Sequence, residues 1–285
     1  MNKDFQIKGH DLNHNSGIDL SRIAPRELRE RFRRGEMEFL STVGVCLGYV
    51  QANMIIIPEK YADDFQEFAS KNHAPCPILD QTKPGERFIH HLADNANIYT
   101  DLSGYCIFKD GVKVAECSDA TPYWREDMVG FLIGCSLSFE QALLDNGIRI
   151  RYLESGGNDC AYISNIMCEP AGVFDSPMVV SMRPVKPELL DVAYRVTQGF
   201  PHVHGGPVYH GDPMGIGIRD INMPEWGDPP EIGPGEIPVF WGCGVTPQLA
   251  VTQAKLPIAI SHKPCCMFVS DILNSELESV LFGQS

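Results

Sequence analysis

The chain has 285 residues and a formal charge of −14, and it is long enough to bury one large core or two closely joined ones. This acidity argues against nucleic acid and against an anionic membrane surface as the main partner, because both require a basic protein surface. Hydrophobic residues make up 44% and charged residues 21%, which is typical of a globular protein.

The ten cysteines show no C-x-x-C spacing, and several lie in apolar runs, such as Cys46 and Cys135. This pattern predicts unpaired buried thiols in a reducing compartment rather than a disulfide framework. No apolar run approaches the roughly 20 residues that cross a bilayer. The N-terminus also lacks the apolar segment of a signal peptide, so we expect a cytoplasmic protein.

The first half of the chain mixes helix and strand signals. A helix is predicted from Pro25, which suits a first helical position, to just before Gly35. Its arginines favour a solvated face with pairs such as Arg26–Glu30, an anion patch being the alternative. Residues 48–58 predict a buried strand and residues 59–72 a helix.

The middle of the chain adds a hairpin and further helices. Asp110 and Gly111, between alternating apolar positions, predict a hairpin turn. The apolar run that follows Trp124 predicts a helix, and a second helix is expected from an N-cap at Ser138. Residues 148–153 alternate as a half-buried strand would.

Glycine and proline become dense after about residue 155. Residues 176–201 predict a strand, a turn and a helix. Residues 200–236 predict a loop, and its length and its His, Asp, Tyr and Trp side chains favour a functional role. Residues 237–241 predict a strand and Thr246 the N-cap of a helix, and two further strands follow.

Strands that alternate with helices predict an α/β or mixed α+β fold. We expect a layered αβα main domain formed by residues 21–154 and 237–285. A smaller two-layer α/β sandwich, residues 155–236, would carry the histidine loop. Residues 1–20 are predicted to be a flexible N-terminus.

The segment GCGVTPQ places backbone N–H groups and the Thr246 hydroxyl at a helix N-terminus, where anions bind. It lacks the third glycine of a dinucleotide fingerprint and the lysine of a Walker loop. A tight turn that requires small residues is an equal alternative. Cys243 in this turn is a candidate nucleophile, because a helix N-terminus lowers a thiol pKa.

Two carboxylates near apolar segments, Asp127 and Glu140, are candidate acid–base groups, because burial raises a carboxyl pKa toward neutrality. For Glu140, interaction with its helix dipole is the alternative. Arg183 directly follows an apolar strand, where it would bind a substrate carboxylate or form a structural salt bridge. Arg125 is a further candidate for substrate binding.

His202, His204, His210 and Asp212 lie within eleven residues of one another. Imidazole and carboxylate groups suit zinc, iron or manganese. The glycines and prolines between them favour a shaped loop over a metal site. We therefore expect no metal and no other cofactor, with a divalent metal held by these four residues as the alternative.

Eight motifs resemble, in the same order, those of hydro-lyases related to D-glutamate cyclase: GYVQAN, CPILD, DMVGFLIGCSLSFEQALLDNGI, NIMCEPAGVF, VVSMRP, HGGPVYHGDP, PVFWGCGVTPQ and ISHKP. The resemblance runs from about Arg26 to Asp271. It implies a cytosolic α/β protein of two subdomains that acts on a small carboxylate. The implied reaction is that of a carbon–oxygen lyase or a dehydrating cyclisation, such as D-glutamate to 5-oxo-D-proline and water. A homodimer is left open.

The chain departs from the family pattern at several polar positions. His204 and Asp212 match the histidine loop, but the second family histidine falls on Tyr209. Tyr99 and Ile163 stand where the family has basic residues. These losses imply a ligand of different charge or a loss of catalysis.

The working hypothesis is an enzyme with His204 or Glu140 as the base and Asp212 or Asp127 as the acid. The candidate substrate-binding residues are Arg183, Arg125, Gly244, Thr246, Cys243, Tyr209 and Asn53. The hypothesis requires the histidine loop, the helix at Thr246 and Arg183 to line one cleft. The alternatives are a non-catalytic small-molecule binding protein on the same fold and the metal-dependent enzyme.

Overall fold

The computed structural model describes residues 18–282 and shows a mixed α+β fold, as predicted. The predicted flexible segment, residues 1–20, lies almost entirely outside the described residues. Residues 283–285 of the predicted main domain lie outside them too.

The described part of the chain contains seven α-helices and thirteen strands, joined by loops and short 3-10 helices. The helices are α1 (Pro25–Arg33), α2 (Ala62–Lys71), α3 (Glu140–Asp145), α4 (Arg151–Ser155), α5 (Leu190–Gln198), α6 (Thr246–Gln253) and α7 (Leu277–Phe282). The strands are β1 (Tyr49–Pro58), β2 (Ile78–Gln81), β3 (Phe88–Ile89), β4 (Ala96–Asn97), β5 (Tyr105–Lys109), β6 (Val112–Cys117), β7 (Met128–Gly134), β8 (Cys160–Met167), β9 (Pro177–Val185), β10 (Tyr209–His210), β11 (Ile237–Gly242), β12 (Ala259–His262) and β13 (Phe268–Leu273).

The larger sheet is antiparallel, in the order β2-β7-β1-β12-β5-β6, with β13 also paired to β1. β1 is buried along nearly its whole length, as its continuous apolar run predicts. On one side β1 pairs with β7 from Ala52 to Pro58. On the other side it exchanges partners, because β13 pairs with its first half and β12 with Ile55 and Ile56. Asn53 and Met54 lie at this exchange.

The smaller sheet is antiparallel, in the order β10-β11-β9-β8. The strand Ile237–Gly242 pairs along its full length with β9 in this sheet. The predicted division at residue 237 had assigned this strand to the main domain, so the boundary between the sheets falls after Gly242. Pairing over long sequence separations sets this boundary, and composition does not mark it. The division into two subdomains stays a prediction.

Several local predictions are confirmed. The β5–β6 hairpin turns at Asp110 and Gly111, whose φ angles of 49° and 78° are those of a two-residue hairpin turn. α1 begins at Pro25 and carries the Arg26–Glu30 pair at 3.3 Å. All ten cysteines are free, eight of them buried and two half-buried.

The run after Trp124 forms the central strand β7, and the prediction of a helix there was wrong. Short apolar runs do not distinguish a buried strand from a helix. In the sheet β7 pairs with β1 and β2, and its two glycines lie where no larger side chain fits. A Cβ at Gly130 would lie 2.2 Å from Ile98 Cδ1, and one at Gly134 would lie 2.0 Å from the His202 carbonyl oxygen.

Three other local predictions were also wrong. Residues 151–153 of the predicted strand 148–153 belong instead to α4, which is followed by Gly156 with a left-handed φ of 78°. Ser138 does not cap α3, because its hydroxyl accepts a hydrogen bond from the Gln51 amide at 3.1 Å. Val245 occupies the N-cap of α6, and Thr246 is the first helical residue. Among the described helices, none is both long and apolar enough to span a bilayer.

Candidate functional site

A small cavity of about 30 Å³ lies where the two sheets meet. Its lining comes from both sheets and from the loops that follow their strands. The polar groups among the lining residues include Asn53, Ser136, Asp159, His204, Gly244 and His262. Most of them stand at a strand end: Ser136 follows β7, Gly244 follows β11, Asp159 precedes β8 and His262 closes β12. Strand ends of two sheets therefore bring together residues from six distant parts of the sequence.

His204 reaches the cavity from the histidine loop. Its backbone has a left-handed φ of 86°, a conformation that costs a non-glycine residue about 1–3 kcal/mol. The ring is buried, and Nδ1 lies 2.7 Å from the carbonyl oxygen of Ala74. Burial and, to a smaller extent, the nearby charge of Arg183 lower the pKa of His204 to about 4, against the opposing effect of hydrogen bonds to the backbone of Ala74 and Gly134. The imidazole is therefore neutral at neutral pH.

His262 lies at the partner exchange of β1. Its ring is 1% exposed, and Nδ1 lies 3.1 Å from the amide nitrogen of Met54. Nε2 has no hydrogen-bond partner among the described residues. The residue also lines the cavity. A buried polar atom without a partner is rare in folded proteins, so this nitrogen calls for a partner that the described residues do not supply. Burial lowers the pKa of His262 to about 4, so this ring is neutral as well.

Asp159 is the ionisable carboxyl of the cavity wall. Burial raises its pKa, and the positive charge of Arg183 opposes this shift. Raised carboxyl pKa values in a cleft are typical of general acids. Asp159 therefore combines a cavity position with a tendency to hold its proton.

Arg183 lies behind the wall of this cavity and is not among its lining residues. Its Nε donates to Glu140 Oε1 at 2.9 Å, and one terminal nitrogen donates to Ser136 Oγ at 2.9 Å. Tyr152 also contacts this pair through its hydroxyl. Of the two roles left open for Arg183, the structure shows the salt bridge. Burial outweighs the effect of Arg183 and raises the pKa of Glu140 to about 7.

The turn before α6 reaches the cavity through Gly244 and Val245, but Thr246 does not line it. Gly244 lines the cavity, and a Cβ there would lie 1.9 Å from Asn53 Nδ2, so only glycine fits. The Thr246 hydroxyl faces away: it accepts from the Val179 amide at 2.9 Å and donates to the Cys243 carbonyl at 2.8 Å. It therefore stabilises the junction with β9.

Cys243 lines the cavity, but it does not have the properties of a nucleophile. Burial and the neighbouring Asp159 raise the pKa of its thiol to about 12. The thiolate is the reactive form of cysteine, and a helix N-terminus was expected to favour it. Desolvation outweighs the helix dipole at this position.

Four predicted site residues lie away from the cavity. Asp212 is exposed, and its side chain accepts a hydrogen bond from the Met214 amide at 3.0 Å. Tyr209 donates to the Asp212 carbonyl at 3.1 Å. Arg125 and Asp127 pair with each other in a partly exposed turn. Each of these polar groups is held by a sequence neighbour, and the structure does not bring them to the site.

The histidine cluster is dispersed. His202 stacks edge-to-face with His73 at 5.4 Å, and His210 contacts Tyr194 at 3.0 Å. Among residues 18–282, no three His, Cys, Asp or Glu side chains are arranged to hold a metal ion. Tyr99 lies in the core of the larger sheet, so its difference from the family pattern does not affect the cavity directly.

Sequence reasoning missed Asp159, His262 and Ser136. His262 had a signal, because it ends an apolar strand within the family motif ISHKP. Asp159 stands just before an apolar strand, where its position resembles that of many structural aspartates. Only the pairing of the strands identifies these residues as neighbours.

Comparison with known proteins shows the family of this chain. Residues 129–271 match the family model described as D-glutamate cyclase. A protein of Mycolicibacterium gilvum named "Putative hydro-lyase" is 48% identical over 91% of this chain and 98% of its own. A protein of the same name from Stutzerimonas stutzeri is 47% identical over 90% and 96%, and "Putative hydro-lyase YcsI" of Bacillus subtilis is 46% identical over 90% and 99%. The chain therefore belongs to the D-glutamate cyclase family, whose curated relatives carry the name hydro-lyase.

Proposed function

We propose that this protein is an enzyme that removes water from a small amino acid, with the cyclisation of D-glutamate to 5-oxo-D-proline as its reaction. The observation that carries the proposal is that His204 and Asp159 line one cavity. One is a neutral imidazole and the other a carboxyl with a raised pKa. A base and an acid in one desolvated space are what a dehydrating cyclisation requires.

The reaction moves two protons from nitrogen to oxygen. The ammonium nitrogen of the substrate loses two protons and forms a bond to the side-chain carboxyl carbon. One carboxyl oxygen leaves as water and carries both protons away. His204, with its Nδ1 proton donated to Ala74, has Nε2 available to accept from nitrogen. Asp159 delivers a proton to the departing oxygen.

The α-carboxylate would lie at the N-terminus of α6, beside Gly244 and Val245. Backbone N–H groups and the helix dipole favour an anion there. Arg183 adds a positive charge one side chain behind the wall, through its hydrogen bond to Ser136. This arrangement replaces the direct arginine contact that the sequence suggested.

Substrate entry requires a segment to move, because a space of 30 Å³ holds little more than water. A wider basin of about 450 Å³ lies next to the cavity, and Trp226 and Pro264 line both spaces. Trp226 is held on the edge of the smaller sheet by backbone hydrogen bonds to Ala161 of 3.0 and 3.3 Å. Release of this contact would join the basin to the cavity.

Incubation of the purified protein with D-glutamate and, separately, L-glutamate tests the proposal, with 5-oxoproline followed by chiral chromatography. We expect turnover of the D-isomer and a large loss in the His204→Ala variant. If the wild-type protein turned over D-glutamate no faster than the His204→Ala variant, the proposal would be refuted. Metal analysis of protein purified without a histidine tag tests the expectation that no metal takes part, and stoichiometric metal would contradict it.

A second candidate is a non-catalytic protein that binds a neutral small molecule. It is favoured by one observation: among the described residues that line the cavity, none is a lysine or an arginine. Thermal shift measurements with D-glutamate and with its neutral amide analogues discriminate between the two. Stabilisation by neutral ligands alone, without turnover, would support this candidate.

A further inference from the structure

The two histidines of the cavity have different backbone partners at Nδ1. Nδ1 of His204 lies 2.7 Å from the carbonyl oxygen of Ala74. A carbonyl can only accept, so Nδ1 must carry the ring proton. Since a neutral imidazole has one ring proton, Nε2 of His204 is an acceptor.

His262 has the opposite constraint. Its Nδ1 lies 3.1 Å from the amide nitrogen of Met54 and 3.3 Å from the Met54 carbonyl oxygen. The β1–β12 pairing ends at Ile55 and Ser261, so the ladder does not continue to Met54 on this side. A buried amide without an acceptor is rarer than an under-satisfied carbonyl. Nδ1 therefore accepts from Met54, and Nε2 carries the proton.

Nε2 of His262 is the atom that has no partner among residues 18–282. With the proton placed there, a buried N–H donor lacks an acceptor in a residue that lines the cavity. Such a donor costs about 1–3 kcal/mol when it is left unsatisfied. An acceptor from a bound molecule would remove that cost.

We propose that His204 and His262 form a catalytic pair with opposite tautomers, in which His204 accepts a proton from the substrate nitrogen and His262 donates a hydrogen bond to the carboxyl oxygen that stays in the product. This inference rests on the proposed function and assigns a catalytic residue to it. The nitrogen–carbon bond forms as the nitrogen loses a proton to Nε2 of His204. Negative charge then develops on the retained oxygen, and the Nε2–H of His262 stabilises it. The carbon–oxygen bond to the other oxygen breaks, and that oxygen leaves as water with both protons from nitrogen, passed on through His204 and Asp159.

The pair explains how a cavity without a lysine or arginine in its lining could activate a carboxyl group. An uncharged donor placed where charge develops is worth about 10²–10³ in kcat when it is preorganised in a desolvated site. The side chain of His262 is preorganised, because β12 and the Met54 amide hold it. The chemical class of ligand that fits is a carboxylic acid whose carbonyl oxygen reaches Nε2.

Long-range ¹H–¹⁵N correlation spectra of the wild-type protein test the tautomers directly. They separate protonated from unprotonated ring nitrogens, and the variants His204→Gln and His262→Gln assign the signals. We expect a proton on Nδ1 of His204 and on Nε2 of His262. A proton on Nδ1 of His262 would overturn the inference, whether or not the enzyme is active.

Activity measurements complete the test. We expect His262→Phe to lower kcat about 10²–10³-fold and His262→Gln, which keeps an N–H donor, to lower it less. His90→Gln is the matched control, since His90 is exposed and pairs with Glu86. Circular dichroism checks that each variant is folded. Wild-type kcat in a folded His262→Phe would overturn the inference and leave the proposed function standing. The expected tautomers without any turnover of D-glutamate would refute the proposed substrate alone.

Discussion

Arg183 donates from Nε to Oε1 of Glu140 at 2.9 Å, within a buried ion pair behind the cavity wall. The aromatic rings of Phe139 and Trp241 lie 5.3 and 5.6 Å from the guanidinium carbon. Arg183 also influences the pKa of Asp159. The charge of Arg183 thus acts on the carboxyl groups of both Glu140 and Asp159. The pKa of Asp159 in the cavity therefore depends on a residue that does not line it.

Arg183→Met should destabilise the protein by about 3–5 kcal/mol, because it leaves Glu140 buried without its cation. The double variant Arg183→Met with Glu140→Leu should recover much of this loss, since an apolar pair of similar volume removes both buried charges. Urea unfolding measures both. Arg125→Ala is the control, because its pair with Asp127 is partly exposed and should contribute at most about 1 kcal/mol. If Arg183→Met and Arg125→Ala lowered the free energy of unfolding equally, the prediction would be contradicted.

The stability of the protein should depend on His262 between about pH 4 and pH 6.5. The pKa of His262 is lowered to about 4 in the folded state from 6.5. The unfolded chain therefore binds the additional proton in this window, and stability falls as the pH falls. The contribution reaches about 1.4 kcal/mol per pH unit for one proton.

His262→Gln should remove that contribution, so its unfolding free energy should fall less on acidification than that of the wild type. Glu140, with its pKa raised to about 7, makes stability depend on pH in the opposite direction. Because it does so in both proteins, its effect cancels in the comparison, and the difference reports on His262. Urea unfolding at pH 4.5 and 6.5 measures the difference. Parallel pH dependences of the two proteins would show that His262 is not desolvated.

Gly244→Ala should destabilise the protein by about 1–3 kcal/mol through overpacking. The new Cβ would lie 1.9 Å from Asn53 Nδ2, which donates to the Gly134 carbonyl at 2.8 Å. Thermal unfolding measures the loss. In the double variant with Asn53→Ala, the loss of stability should be smaller than the sum of the two single losses, because removal of the Asn53 amide relieves the clash. Strict additivity would mean that the two residues do not meet.

Asp159→Asn should lower kcat for D-glutamate about 10²–10⁴-fold, the usual contribution of a positioned proton donor. Asp212→Asn should change kcat less than about tenfold and should leave stability nearly unchanged, because asparagine caps a helical turn about as well as aspartate does. Steady-state kinetics and thermal unfolding of both variants check this. A larger kinetic effect at Asp212 would return the acid role to the histidine loop.

Cys243 should resist alkylation by iodoacetamide at pH 7.5 in the folded protein. Burial and Asp159 raise the pKa of this thiol to about 12, and the thiolate is the reactive form. Mass spectrometry of peptides measures the extent of reaction, with the urea-unfolded protein as the control. Rapid and selective modification of Cys243 would instead indicate a nucleophilic thiol.

Local signals were sufficient for elements whose pattern is unambiguous. The Asp110–Gly111 turn and the helix that begins at Pro25 follow from turn and cap chemistry. β7 was misassigned because its seven residues, five of them apolar and two glycine, fit either a strand or a buried helix. β7 forms a strand by pairing with β1 and β2, which lie far away in sequence.

The sequence by itself determined the family, the mixed α+β class, the loop that carries His204 and the glycine turn before α6, because these depend on motifs and on local backbone chemistry. Only the tertiary structure decided that Asp159 and His262 join His204 in one cavity while Asp212 stays outside it. The reason is that sheet pairing brings strand ends together across a hundred residues. The tertiary structure also buries Arg183 against Glu140 and leaves Nε2 of His262, a residue that lines the cavity, without a hydrogen-bond partner among the described residues.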